Sequence, residues 1–342
     1  MLRRNFTVTV LLGCFLVLAA SSALAQYKLT KLDSNQAGKA FRPPDPLLVN
    51  AWGLARAATS PWWVADNMSG WSTLYDGAGI KQGLNVLIPA APGGSVGSPT
   101  GLVFNGSPDF MVQGWNAFFL FDTLDGTISA WVPQVDFTHA LLVVDNSKSG
   151  AVYTALAITS HASGNVLFAA DTANNRVDMF DGTFKHVGSF TDSTVPAGFT
   201  VFGIRDLNGL VYVSFANAAG GPGGFIDIFS EKGDFLKRLT QNGLLNQPWG
   251  FAAAPSGFGP LSNTLLISNN TNSGTINAYN AITGAFVGTL KDTSGTAIKI
   301  NQLWAIDFGG GTPANGAKNE LFFTAGPNNN FSGLFGSIVF AK

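Results

Sequence analysis

The sequence predicts an all-β chain, specifically a six-bladed β-propeller, on three observations. A short phrase (an aromatic residue or Thr, then Gly or Ala, then an aliphatic or aromatic residue) recurs six times; strand-length stretches of alternating apolar and polar residues follow each copy; and the two ends of the chain supply complementary pieces of one blade.

The six copies are Trp52-Gly53-Leu54, Thr100-Gly101-Leu102, Thr154-Ala155-Leu156, Phe202-Gly203-Ile204, Trp249-Gly250-Phe251 and Trp304-Ala305-Ile306, which puts the small residues 47 to 55 positions apart. A small residue fits the innermost strand of a blade, where blades converge on the axis and backbones approach closely. Each copy is followed by a second strand, a turn and an alternating third strand. "NVLFAAD", "TANN" and "RVDMFD" show the pattern most clearly, and Gly182-Thr183 then turns into the outer strand "FKHVGSF". Aligned without gaps, residues 66–76, 122–132, 171–181 and 270–280 share an Asp or Asn, four turn residues, and an aromatic or apolar residue nine positions on. The chain stops on "LFGSIVFAK", a third strand, while "YKLTKLDSN" near its start resembles the outer strands "FLKRLTQNG" and "FVGTLKDTS". The early segment is therefore expected to complete the sixth blade and close the ring, pairing an edge that would otherwise be open.

Residues 1–25 read as a signal peptide: Arg3-Arg4, an apolar run, then Ala23-Leu24-Ala25 before Gln26. Arg3-Arg4-Asn5-Phe6 leaves a twin-arginine route open beside the general secretory one. The rest, 26–342, reads as one domain, exported to the periplasm or beyond the cell and monomeric. Cys14 is the single cysteine and lies in the signal segment. A processed chain therefore has no disulfide, thiolate metal site or cysteine nucleophile. Charged residues are 11% of the chain, against roughly 25% in an average domain. Lys and Arg number 19 against 20 Asp and Glu, a formal net charge of −1, which implies no nucleic-acid partner. No later apolar run is long enough to span a bilayer.

At "FAADTANNRVDMFD" the sequence resembles the NHL repeat, and the implied fold is an NHL- or TolB-like propeller. Asn175-Arg176 is kept together only in the third blade, where Arg176 is expected to brace a neighbouring blade or loop through a carboxylate. Over most of its length the chain also resembles a family of exported bacterial proteins of uncharacterised function, some with PEP-CTERM sorting tails. The phrases that carry this include "NAWGLARAATSPWWVADNMSGWSTLYDGAG", "VDNSKSGAVYTALAI" and "QPWGFAAAP"; the sorting tail is missing, and the resemblance implies no activity.

In such a ring the outer-to-inner connections and the second-to-third-strand loops share one face. Two sets of residues should therefore circle one channel mouth: Asn50, Ser98, Thr200, Gln247 and Gln302, with Val152 breaking the series, and Asp66, Asp122, Asp171, Asn217 and Asn270. Two readings stand. Asp and Asn at strand ends bond their own backbone in Asx turns, which explains the repetition without a ligand. A mouth ringed by oxygens, Asp66, Asp122 and Asp171 above all, could instead hold Ca²⁺, although no segment fits a D-x-D-x-D-G loop and no cofactor is otherwise implied.

Trp62 and Trp63 in "PWW" are the candidates for an exposed, sugar-stacking surface, with Trp71, Trp115 and Trp131 as further possibilities; Trp52, Trp249 and Trp304 repeat with the anchors and are assigned to core or channel packing. A metal hydrolase of the lactonase type needs a glutamate ligand. Only Glu231, in the turn "SEKGD", and Glu320, at the far end of a blade from the predicted mouth, exist. His139, His161 and His186 form no catalytic signature, and H-E-x-x-H and G-x-S-x-G are absent. The expectation is thus a non-catalytic recognition or scaffold module for a protein or glycan partner, with the metal-dependent hydrolase as the alternative.

Overall fold

The computed structural model describes residues 27–159 and 164–341; residues 1–25, which read as a signal peptide, and His161 lie outside them. Six four-stranded antiparallel sheets follow one another around a ring. The first blade holds Ala51–Ala55, Trp62–Asp66, Trp71–Tyr75 and Lys81–Leu87 from axis to rim. The second holds Pro99–Phe104, Phe119–Thr123, Thr127–Trp131 and Leu141–Asp145, with a two-stranded ribbon, Met111–Val112 and Trp115–Asn116, inserted after its inner strand. The third to fifth begin at Tyr153–Ile158, Phe199–Leu207 and Pro248–Ala253. The sixth takes Leu303–Phe308, Leu321–Ala325 and Leu334–Phe340, and Tyr27–Ser34 joins it as the outermost strand, running from Tyr27 opposite Phe340 to Ser34 opposite Leu334. The ring closes as the chain ends predict. Tyr27 fixes this strand: its ring packs 4.8 Å from Phe258 and its hydroxyl donates to the Phe258 carbonyl at 2.9 Å.

Every inner strand carries a register irregularity at its repeated phrase: between Ala51 and Leu54, Pro99 and Leu102, Tyr153 and Leu156, Val201 and Gly203, Pro248 and Phe251, and Leu303 and Ile306. A bulge releases backbone groups from the ladder. In three blades a hydroxyl on the second strand takes up the freed N–H: Gly203 donates to Ser214 Oγ (2.9 Å), Gly250 to Ser268 Oγ (2.8 Å) and Ala305 to Thr324 Oγ1 (3.1 Å). Those hydroxyls then donate to the next blade, Ser214 to Pro248 O (2.7 Å), Ser268 to Trp304 O (2.6 Å) and Thr324 to Trp52 O. Asn67 Nδ2 to Pro99 O (3.1 Å), Thr100 Oγ1 to Tyr153 O (2.9 Å) and Thr154 Oγ1 to Phe202 O (2.8 Å) complete the circle. Uncharged hydrogen bonds stitch the ring, which is how a chain so poor in charge satisfies buried polar backbone.

The same approach explains the small anchors. A Cβ on Gly53 would run into the carbonyl of Thr100, one on Gly101 into the Leu156 amide, and one on Gly203 into the carbonyl of Trp249. Between blades, apolar faces meet in clusters, for example Trp63 stacked on Phe119 at 4.2 Å across the first and second blades. Among the described residues no helix is long and apolar enough to cross a membrane.

Candidate functional site

Backbone bonds bring the two predicted sets of loops together on one face in five blades: Asn67 N–H to Asn50 O (3.1 Å), Leu124 N–H to Ser98 O (3.1 Å), Thr172 N–H to Val152 O (2.9 Å), Asn270 N–H to Gln247 O (2.8 Å) and Gly326 N–H to Gln302 O (2.9 Å). In the fourth blade the bond runs from Ala218 N–H to Gly198 O (2.8 Å), and Thr200 lies instead inside the strand Phe199–Leu207, because the bulge there starts later in the strand. Tryptophan rings fill the channel behind that mouth. Trp52 and Trp304 stack face to face with ring centroids 3.6 Å apart, and Trp249 meets them edge-on at 6.5 and 5.8 Å. Trp304 Nε1 donates to Asn50 Oδ1 (3.1 Å) and Trp249 Nε1 reaches across to Thr154 O (3.0 Å). All three rings are buried, as channel packing requires.

Most of the polar side chains predicted for that mouth bond within their own turns or to a neighbouring blade, while Asp66 Oδ1 and Asp122 Oδ2 find no hydrogen-bond partner among the described residues. Asn50, Gln247 and Gln302 adopt left-handed backbone, φ 52°, 53° and 50°, where the chain swings from one blade into the next. Gln247 Nε2 donates to Asn217 O (2.9 Å), Gln302 Nε2 to Asn272 Oδ1 (3.0 Å), and Asn270 Nδ2 to Leu303 O (3.2 Å), while Asn217 Oδ1 accepts from Ala219 N–H (3.0 Å). Asp171 accepts from Val152 N–H (3.1 Å), Asn174 N–H (3.2 Å) and Asn174 Nδ2 (2.6 Å). Asp66 is fully buried and accepts from both Thr73 N–H (3.1 Å) and Thr73 Oγ1 (2.7 Å); burial pushes its carboxyl well above the usual carboxylate range. Asp122 is also fully buried, taking Gly101 N–H at 2.5 Å and lying 2.7 Å from Thr100 Oγ1; burial raises it to about 7 against those two hydrogen bonds. Thr100 Oγ1 also lies 2.9 Å from Tyr153 O, so its single hydroxyl proton serves one of these two acceptors at a time. Among the described residues no three His, Cys, Asp or Glu side chains gather as a metal centre would require.

Two assignments need correction. Trp62 and Trp63 are not a surface platform: both are buried. Alternation puts one on each face of the blade, so Trp62 packs on Phe322 of the sixth blade and Trp63 on Phe119 and Trp131 of the second. Arg176 braces its own blade, donating from Nε to Asp178 Oδ1 at 2.7 Å, because side chains two apart on a strand share a face. The brace to the neighbouring blade is Asn175 instead, whose left-handed backbone (φ 50°) turns Oδ1 to accept from Val201 N–H at 3.0 Å.

The channel opens at its opposite end. There the last residues of the inner strands enclose a cavity of about 250 Å³ lined by Arg56, Phe104, Ile158, Arg205, Asp206 and Asp307, with Trp249 reaching it from the tryptophan plug. Arg205 Nη2 donates to Asp307 Oδ2 at 2.7 Å, joining the fourth blade to the sixth across the intervening fifth. Arg56 sits 5.3 Å over the Trp62 ring and donates from Nε (3.0 Å) and Nη2 (2.8 Å) to Phe308 O. Burial and, to a lesser extent, the neighbouring Arg205 charge lower the pKa of Arg56, with Asp307 opposing them. Neither Glu231 nor Glu320 lines the cavity. His139 and His186 lie far from it on outer parts of their blades, half exposed, His139 Nδ1 against Asp136 at 3.1 Å.

These charged residues sit at the ends of inner strands, away from the loops to which the repeat points as a source of ligand oxygens. The signal was nevertheless present: charges two or three positions beyond the anchor, at Arg56, Arg205, Asp206 and Asp307, in a chain with 11% charged residues.

No established protein-family profile matches the chain. Uncharacterized protein R648 of Acanthamoeba polyphaga mimivirus is 30% identical, the match covering 92% of this chain and 81% of that protein. Uncharacterized protein L690 of the same virus is 28% identical over 93% of this chain and 87% of its own length. Among solved structures, a glucose dehydrogenase superposes with a TM-score of 0.57 at 11% identity, covering 92% of this chain and 100% of that one. A streptogramin B lyase gives 0.55 at 13%, covering 94% and 100%. Likeness at such identity carries the fold and no activity. The mimivirus match goes further than fold, and the chain belongs to the family of uncharacterized protein R648.

Proposed function

We propose that the protein is an exported, non-catalytic recognition module that meets a protein or glycan partner with the face on which the channel opens. One observation carries this reading: the cavity at the inner-strand ends combines an ion pair, a second arginine and apolar walls in a part of the channel that the described side chains leave unfilled. A concave site with a few convergent polar groups is the usual form of a binding pocket. The tryptophan plug supports it from behind, since a rigid floor keeps the cavity pre-formed. Export rests on the signal-like residues 1–25, and the resemblance to exported bacterial proteins points the same way.

The test is a screen of the purified protein against peptide and glycan arrays, repeated with Ile158→Asp at the cavity wall. Hits that vanish with the variant support the reading; hits indifferent to it overturn it. A melting temperature unmoved by EDTA is expected, and a chelator-induced drop would favour the metal-dependent alternative.

A further inference from the structure

Arg56 is a half-buried cation whose acceptors are all neutral. Nε and Nη2 share the Phe308 carbonyl, Nη1 reaches Ala57 O at 3.4 Å, and among the described residues no carboxylate forms an ion pair with it. Arg205 spends Nη2 on Asp307. Nη2 keeps a second N–H, and Nε and Nη1 make no other hydrogen bond among the described residues, so one edge of the guanidinium, Nη2 with either Nε or Nη1, is open to a second acceptor pair. Asp206 and Asp307 line the same cavity as Arg56 and Arg205, so the formal charges of the four side chains balance, and the open N–H pair of Arg205 rather than net charge is what invites an acceptor. A site so balanced suits a ligand of one negative charge better than a multiply charged one. The walls at Phe104 and Ile158 are apolar, and about 250 Å³ lies below the roughly 300–1,000 Å³ of drug-sized pockets. That leaves room for a group about as large as one amino acid.

We propose that this cavity takes a carboxylate carried on an apolar group of about one residue's size, the carboxylate gripped by Arg205 with Arg56 supplying the second positive charge. The proposal rests on the recognition reading above and narrows it. The same chemistry could come from a free small acid or from the C-terminus of a partner polypeptide.

Isothermal titration of the purified protein with N-acetyl-leucine, N-acetyl-leucinamide, and one short leucine-ended peptide with a free or amidated C-terminus tests it. The acid should bind at least tenfold more tightly than the amide. Arg205→Gln should lose at least tenfold, and Arg205→Lys, which keeps the charge without the fork, should fall between, with melting temperatures of both variants near that of the parent. A free-ended peptide that binds more tightly than N-acetyl-leucine assigns the carboxylate to a polypeptide end; equal affinities assign it to a small acid. Acid and amide binding alike, or neither binding, overturns the inference. Array hits that need the cavity wall but ignore amidation and Arg205→Gln would sink the carboxylate while leaving the recognition reading intact.

Discussion

The two mouths of the channel are built from the same six strands and differ in what the strands carry. At the entrance to three inner strands, those of the first, fifth and sixth blades, the repeat supplies a tryptophan and a left-handed polar residue, and the space closes. At the exit the repeat is broken by Arg56, Arg205, Asp206 and Asp307, and the space stays open. Repetition here builds structure, and departure from repetition marks the candidate site.

The largest expected effect comes from breaking the sealed mouth. Trp304→Ala removes the ring stacked on Trp52 and should cost about 3–5 kcal/mol, read as a fall in the denaturant midpoint. A smaller loss would mean that the plug is loosely packed. Gly203→Val pushes a side chain into the Trp249 backbone and should destabilise by about 1–3 kcal/mol or more, whereas Ala155→Gly, at the matching position of the third blade, should have a milder effect.

Asp122 gives a pH signature to the sealed side. Its folded pKa, about 7, lies above the ordinary value of 3.8, so the folded state holds the proton longer. Its favourable contribution is full below pH 4 and is lost as pH rises through 7, at up to about 1.4 kcal/mol per pH unit. Asp33, raised to about 6 first by burial, acts in the same direction. Melting temperature should therefore fall from pH 5 to pH 8, and Asp122→Asn should flatten part of that slope. A profile identical to the parent's would show that Asp122 is ionised in the folded protein.

The smallest effect on stability belongs to the open mouth. Arg205→Gln breaks a pair whose side chains are 33% and 19% exposed, and should change stability by no more than about 1 kcal/mol. A large loss there would make the ion pair a structural clasp between blades.

The contrast also explains what the sequence made legible. The six anchors, the strand order and the closing Tyr27–Ser34 strand were readable because small residues and period-two patterns answer to local backbone geometry. The loop oxygens were read correctly as to place, since Asn50, Asp66 and Asn270 lie where the alternation puts them, but their hydrogen-bond partners come from neighbouring turns and blades that no single segment reveals. Trp62 and Trp63 misled because a tryptophan pair beside Pro61 reads as a loop, while each ring finds an apolar blade to either side. The Arg205–Asp307 pair joins residues 102 positions apart, across an intervening blade, and becomes visible only once the ring is closed.

A chain with one cysteine, removable as Cys14→Ser, allows a direct test of which mouth is open. Single cysteines at Phe104 and Ile158, on the cavity wall, and at Asn50 and Asn270, behind the plug, would be reacted with a thiol reagent under native conditions. The account predicts rapid labelling at positions 104 and 158, with labelling at 50 and 270 only on unfolding. Labelling at 50 and 270 as fast as at 104 and 158 would contradict it.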